Sequence, residues 1–422
     1  MARRRAYRVW NFIQEYSLLL ISGAVIALIW ANLDAASYHH FIETPLWENP
    51  WIGIVEEGRD GMRVLTLHFL VNDILMAFFF AIAAKEVWEA IILKNGALRG
   101  RKAMTPLIAT AGGMIGPVSV YLGLAALMGW ETFQAVHRGW AIPTATDIAF
   151  AYLVGRMVFG AAHPAIRFLL LLAIADDAAG LVILAIFYPT GEVNPEWLLL
   201  SVAAAGLVWL LFNELPIRLD RGRESRPVSS WVHRHLKWYP YAVAGALSWY
   251  GFYRAGLHPA LGLIPVVLAV PHADRSFGIF AAAEEHLRDL LNQIEHMLKT
   301  PVEVILFFFG LANAGVVFSA IGAPTWLVLS GLVVGKPLGI FLFGWLAAAP
   351  MRLGLPKGMR MSDLFVLGCV AAIGFTVALF VAAVAFPPGA VQDAAKMGAL
   401  FSFGASVIAL VVGKLFRVQK QN

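Results

Sequence analysis

Residues 165–188 read AIRFLLLLAIADDAAGLVILAIFY. Past Arg167, the charges in this run are Asp176 and Asp177, adjacent and near its middle. An apolar run of about 18 or more residues has the length of a transmembrane helix. A charged group inside such a helix costs roughly 2.5–3.5 kcal/mol on insertion scales, so it is by default a functional group. Two neighbouring carboxylates cannot both ionise cheaply. The pair is therefore poised to exchange a proton for a small hard cation, which takes oxygen ligands. The plainer reading pairs one Asp with a Lys and turns the other to water. It leaves two costly groups on one helix unexplained.

The rest of the chain is written in the same solvent code. Of 422 residues, 59% are hydrophobic and 14% charged, against about 25% charged in an ordinary soluble domain. That leaves too little charge to coat soluble domains. A single Cys excludes a disulfide framework or a cysteine-based metal cluster. Apolar runs lie near 16–32, 65–93, 104–129, 140–159, 165–188, 196–213, 238–253, 258–271, 301–321, 324–349, 362–387 and 396–416. The first reads as a span rather than a cleaved leader. The expected fold is an all-α polytopic membrane protein of about 12 transmembrane helices, one integral membrane domain over residues 1–422. On this pattern 25 Lys and Arg fall on one side and five on the other, with Lys85 and Lys336 inside spans. The positive side faces the cytoplasm, so both termini are expected there. The net charge of +5 then reports topology, and nucleic acid is not an expected partner.

Further charges lie at bilayer depth: Asp73, Lys85, Glu86 and Glu89 in the second run, Asp147 in the fourth, Glu303 in the ninth and Lys336 in the tenth. Lys336 stands half way along its run, in Gly335-Lys336-Pro337-Leu338-Gly339. A buried ammonium there needs a partner, and an Asp of the fifth run is the obvious one. Snorkelling to the interface suits a residue nearer the end. Ile142-Pro143-Thr144-Ala145-Thr146-Asp147 and Ala372-Ile373-Gly374-Phe375-Thr376 carry helix breakers inside apolar runs. Broken helices in matching halves of a transporter point to its binding site. Their exposed peptide ends want an acid at the positive end and a base at the negative end, which Asp147 and Lys336 could provide. Lys85 and Glu89 have the i,i+4 spacing of a facing pair; Glu86 and Glu303 are its other candidate partners. Outside the runs, residues 34–63 hold six carboxylates against two Arg. Residues 50–66 read as strand–turn–strand. Leu287, Leu290, Leu291, Ile294 and Leu298 mark an amphipathic cytoplasmic helix over 278–298.

Together these motifs resemble the NhaA-type sodium/proton antiporter family, over roughly Asn72 to Phe380. The resemblance rests on Val71-Asn72-Asp73 with Leu75-Met76-Ala77, Ala141–Ala151, Asp176-Asp177, Ala312-Asn313-Ala314-Gly315-Val316, Gly335–Gly339 and Gly374-Phe375-Thr376, in this order and spacing. It implies two inverted structural repeats with crossed discontinuous helices in spans 4 and 11; the family is itself one of the examples on which that rule rests. It implies Asp177 as the main cation and proton ligand with Asp176 beside it, and Lys336 as the salt-bridge partner of Asp176. Thr146 would lie close to the sodium path. Asp147 and Lys336 would compensate the helix ends. Glu86, His258 and Glu295 match positions linked to cytoplasmic access and pH response. Two stretches depart from the family pattern. Its usual Gly-Leu-Glu-Val-Lys-Arg-Glu is Ala84-Lys85-Glu86-Val87-Trp88-Glu89-Ala90 here, which adds Lys85 to the access group. Its His-Pro-Trp is Lys299-Thr300-Pro301, and Glu303 is an added carboxylate.

The function expected is secondary active antiport, without a cofactor and not an enzyme: cytoplasmic sodium or lithium exchanged for external protons, in a bacterial inner membrane. The lipid bilayer is the constant partner, and the external 34–63 segment is the expected homodimer contact. The alternative is a sodium-coupled carrier of an organic solute with the same architecture. An intramembrane aspartyl protease is disfavoured, since adjacent residues point about 100° apart on a helix and Gly-x-Gly-Asp is absent. A retinal pump using Lys336 is disfavoured by the span number and by Lys-Pro.

Overall fold

The computed structural model describes residues 8–55, 61–92, 98, 100–221, 227–271 and 290–421. It is mostly helical. Among the described residues six helices are long and apolar enough to cross a membrane: Leu67–Ile92, Ala103–Leu127, Pro164–Phe187, Pro195–Leu219, Ala323–Ala348 and Ala390–Leu415. The bent pair Met361–Ala371 and Phe375–Ala385 makes a seventh if it is one span. The sequence is expected to form one domain over residues 1–422; the described residues pack as two compact units, drawn from Met1–Val9, Glu43–Gly96 and Leu184–Leu306, and from Trp10–Ile42, Ala97–Ile183 and Phe307–Asn422.

The first unit contains a small sheet that an all-α class does not include. Strands β1 (Pro45–Asn49), β2 (Ile54–Val55) and β3 (Arg63–Thr66) pair antiparallel in the order β1-β3-β2. The strand–turn–strand expected over 50–66 corresponds to β2 and β3, with residues 56–60 outside those described. Strand β1 was not expected, because Pro45 opens it and only five residues form it. Asn49 turns the chain after β1: its carboxamide oxygen accepts the N–H groups of Trp51 and Ile52, an Asx turn. At the end of β3, the Thr66 hydroxyl accepts the Phe69 N–H at 3.1 Å and starts the Leu67–Ile92 helix. Of the amphipathic segment expected over 278–298, residues 278–289 lie outside those described. Residues 290–298 are the first turns of the helix Leu290–Asn313, whose Leu290 and Leu291 pack with Val208, Tyr241, Val266 and Val270.

In the second unit, close backbone packing sets the position of Lys336. The helices Arg101–Leu127 and Ala323–Ala348 meet at glycines. A Cβ on Gly112 would lie 2.2 Å from the Gly339 carbonyl oxygen, and one on Gly116 would lie 2.3 Å from that of Gly335. Such small-residue seams let helices approach where lipid gives no hydrophobic drive between them. Pro337 has no N–H for the carbonyl four residues back, and Gly331–Gly335 widens to a π-helical turn just before it.

Candidate functional site

Two helix breaks in the second unit build the site. The first follows the 3-10 helix His137–Thr144, which contains Pro143. Ala145 is extended, with ψ 144°, and Asp147 starts the Ile148–Phe159 helix. The second separates Met361–Ala371 from Phe375–Ala385, which are bent by 52°. Ile142, Ile373 and Phe375 are fully buried. Irregular buried backbone must find its hydrogen bonds inside the protein, and here each break meets the other. The Asp147 N–H donates to the Ile373 carbonyl at 2.7 Å. The Thr146 hydroxyl donates to the Ala371 carbonyl at 3.3 Å. Gly374 is pressed so close that a Cβ would sit 3.1 Å from the Ala145 carbonyl oxygen.

Asp147 caps two helices at once. Its Oδ1 accepts the N–H groups of Ala149 and Phe150 at 3.1 and 3.2 Å. Its Oδ2 accepts the Thr376 N–H at 3.2 Å and also the Thr376 hydroxyl. The first set belongs to the start of Ile148–Phe159 and the second to the start of Phe375–Ala385. Both ends carry partial positive charge, so one carboxylate answers two helix dipoles.

Lys336 stands at the opposite polarity. Its Nζ donates to the Thr144 carbonyl, the last residue of the 3-10 helix. It also donates to Asp176 Oδ2 at 3.0 Å. Lys336 is wholly buried and Asp176 nearly so, so neither charge is left to water. Asp177, one residue along the Pro164–Phe187 helix, is partly exposed. One carboxylate is thus committed to an ammonium, and its neighbour points elsewhere on the helix. That arrangement can hold a proton or a monovalent cation on the second carboxylate. Opening the ion pair would add oxygen donors from the first.

The residues expected to govern access and pH response fall in the first unit. Lys85 is buried and pairs with Glu89 at 2.9 Å, the i,i+4 contact. It also pairs with Glu295 at 2.7 Å, a partner 210 residues away that spacing could not suggest. Glu86 is partly exposed on the same helix. His258 is buried, and its Nδ1 accepts the Ala260 N–H at 3.3 Å, capping the short 3-10 helix Pro259–Leu261. The sequence gives Thr376 no role of its own, although it donates to Asp147 through both its N–H and its hydroxyl. The available signal was weak: a Thr in the first turn after Gly374.

The family model described as Na+/H+ antiporter 1 matches residues 10–416. A protein of Jannaschia sp. named Na(+)/H(+) antiporter NhaA is 70% identical, over 99% of this chain and 100% of its own length. One of the same name from Geobacter sulfurreducens is 45% identical over 97% of this chain and 98% of its own. The solved structure of the sodium proton antiporter MjNhaP1 from Methanocaldococcus jannaschii covers 97% of this chain and 98% of its own, with TM-score 0.47 and 14% identity.

Proposed function

Since the chain belongs to the Na+/H+ antiporter 1 family, we propose that it carries cytoplasmic sodium, or lithium, outward in exchange for external protons by alternating access. The observation that carries this reading is the buried Lys336–Asp176 pair with Asp177 beside it. In the outward-moving step the cation binds Asp177 and draws Asp176 from Lys336, with the Thr146 hydroxyl near the path. In the return step protons occupy the carboxylates and the cation has left. The two carboxylates together carry about two protons or one monovalent cation, so the cycle moves net charge and responds to membrane potential. Asp147 and Lys336 keep the two breaks neutral while they move. Glu86, Lys85, Glu295 and His258 tune access and the pH at which exchange begins.

The same reading places about twelve spans, arranged as two inverted repeats with crossed breaks, in a bacterial inner membrane with both termini in the cytoplasm. It puts the 34–63 segment outside, where it can pair two copies. The test is a solid-supported-membrane current from proteoliposomes given sodium or lithium jumps at several pH values. Asp177→Asn should abolish the current, because an amide can neither take the proton nor balance the ion. Wild-type sodium-driven proton release from Asp177→Asn liposomes would sink the assignment.

A further inference from the structure

The site has a support in a segment that no motif marked. Ser402 lies where the Ala390–Leu415 helix is interrupted, in the turn between Phe401 and Gly404, and it is fully buried. Its Oγ accepts the Gly374 N–H at 3.2 Å and donates to the Ala399 carbonyl at 2.6 Å. The Gly374 N–H and the Ile373 carbonyl are two ends of one peptide unit. That carbonyl accepts the Asp147 N–H at 2.7 Å, and the Asp147 N–H shares its own peptide unit with the Thr146 carbonyl. Ser402 therefore holds one end of a relay of two peptide planes, and Thr146-Asp147 is the other end.

Water is a poor substitute for the hydroxyl. Phe403, in the turn itself, packs its ring against those of Phe375 and Phe150, with centroids 4.2 Å and 4.8 Å apart. The Gly374 N–H and the Ala399 carbonyl would offer a water two polar partners, but a buried water also needs room, and deleting one hydroxyl oxygen opens less than the roughly 30 Å³ that a water occupies. Without Ser402 Oγ the Gly374 N–H would be buried with no acceptor, and the Ile373–Gly374 plane would be free to turn away to find one.

We propose that Ser402 is a positioning residue for the cation site: by fixing the Ile373–Gly374 peptide it fixes the orientation of Thr146 and Asp147. This rests on the assignment of sodium to Asp176, Asp177 and Thr146 made above. It concerns a residue that touches neither ion nor carboxylate.

The test compares Ser402→Ala, which deletes one oxygen, with Ser402→Thr, which keeps it. Ser402→Cys, which keeps the shape of serine with a somewhat larger and weaker acceptor, is the intermediate. The expected result is a rise in apparent sodium KM on the order of 10-fold for Ser402→Ala, the scale of one orphaned buried donor, with maximal rate within about twofold. Ser402→Thr should restore KM and Ser402→Cys should fall between. Hydrogen exchange in detergent should quicken at the Gly374 and Asp147 amides in Ser402→Ala and stay wild-type elsewhere. An unchanged KM with wild-type protection at those amides would overturn the proposal. So would equal losses of rate and thermal stability in all three variants, which mark a merely structural residue. If Ser402→Ala does not fold, the contrast between Ser402→Cys and Ser402→Thr decides in the same way. Wild-type protein inactive in sodium–proton exchange would sink the function, while the amide protection would still decide the role of Ser402.

Discussion

Asp147→Asn replaces one oxygen of the double cap with an NH2 group. Four donors converge on the carboxylate: the N–H groups of Ala149, Phe150 and Thr376, and the Thr376 hydroxyl. An amide can keep its oxygen toward Ala149 and Phe150 and turn its NH2 to Thr376. The Thr376 hydroxyl can rotate to accept from it, but the Thr376 N–H cannot. The variant thus orphans one buried N–H and removes the negative charge from two helix starts. Each effect is of order 1 kcal/mol, and together they come to about 3 kcal/mol. The melting temperature in detergent, read by loss of the monodisperse peak after heating, should fall by roughly 3–4 °C. Thr376→Val removes only the hydroxyl and should cost about a third as much. Because both variants break the same contact, Asp147→Asn/Thr376→Val should cost less than the two effects added. Lys336→Ala should melt lower still. It strands the Asp176 carboxylate and the Thr144 carbonyl, and breaking a buried pair costs about 3–5 kcal/mol. Strict additivity in the double variant, or a wild-type melt for Asp147→Asn, would refute the double cap.

Two further outcomes are expected. Lys85→Leu should move the pH of half-maximal exchange, since it strips Glu89 and Glu295 of their shared cation and changes the field on Glu86, while the maximal rate stays within about twofold; a current–pH profile that overlays the wild type would show Lys85 to be a packing residue only. His163, in the turn before the Pro164–Phe187 helix, gives a pH-dependent stability. Burial pushes its imidazole below the ordinary value; Asp363 opposes this and Arg360 adds to it. Its Nδ1 accepts the Ala165 N–H at 3.1 Å, so the neutral ring is the one the fold holds. Below about pH 6.5 the unfolded chain binds a proton that the folded chain refuses, so stability is full above that pH and is lost on acidification. His163→Gln should flatten the fall in melting temperature between about pH 7 and 5, and parallel slopes for the two proteins would rule it out.

The order of residues along the chain is enough to read the solvent of this protein and the side chains that do not belong in it. Apolar runs and the Lys/Arg asymmetry are local properties, because lipid requires each span to satisfy its own backbone and exclude charge. For the same reason Asp176, Asp177, Lys336 and Asp147 stood out before any contact was known. Breakers at Pro143 and Gly374 likewise marked where the helices part.

Partners were another matter. Spacing could offer Lys85 to Glu89, four residues on, but not to Glu295. It could name an Asp of the fifth run for Lys336, while the choice of Asp176 over Asp177 came only with the family resemblance. That choice depends on how the Pro164–Phe187 helix is rotated about its axis, which its packing fixes. Small strands such as β1 also escaped, since their pairing is made by residues outside them. Most of all, a break in a helix leaves peptide groups whose partners lie far along the chain. Asp147 meets Thr376 across 229 residues, and Gly374 meets Ser402 in a run where no motif marks a site. Those bonds follow from packing alone, because a buried N–H or carbonyl must be satisfied by whatever the fold brings to it.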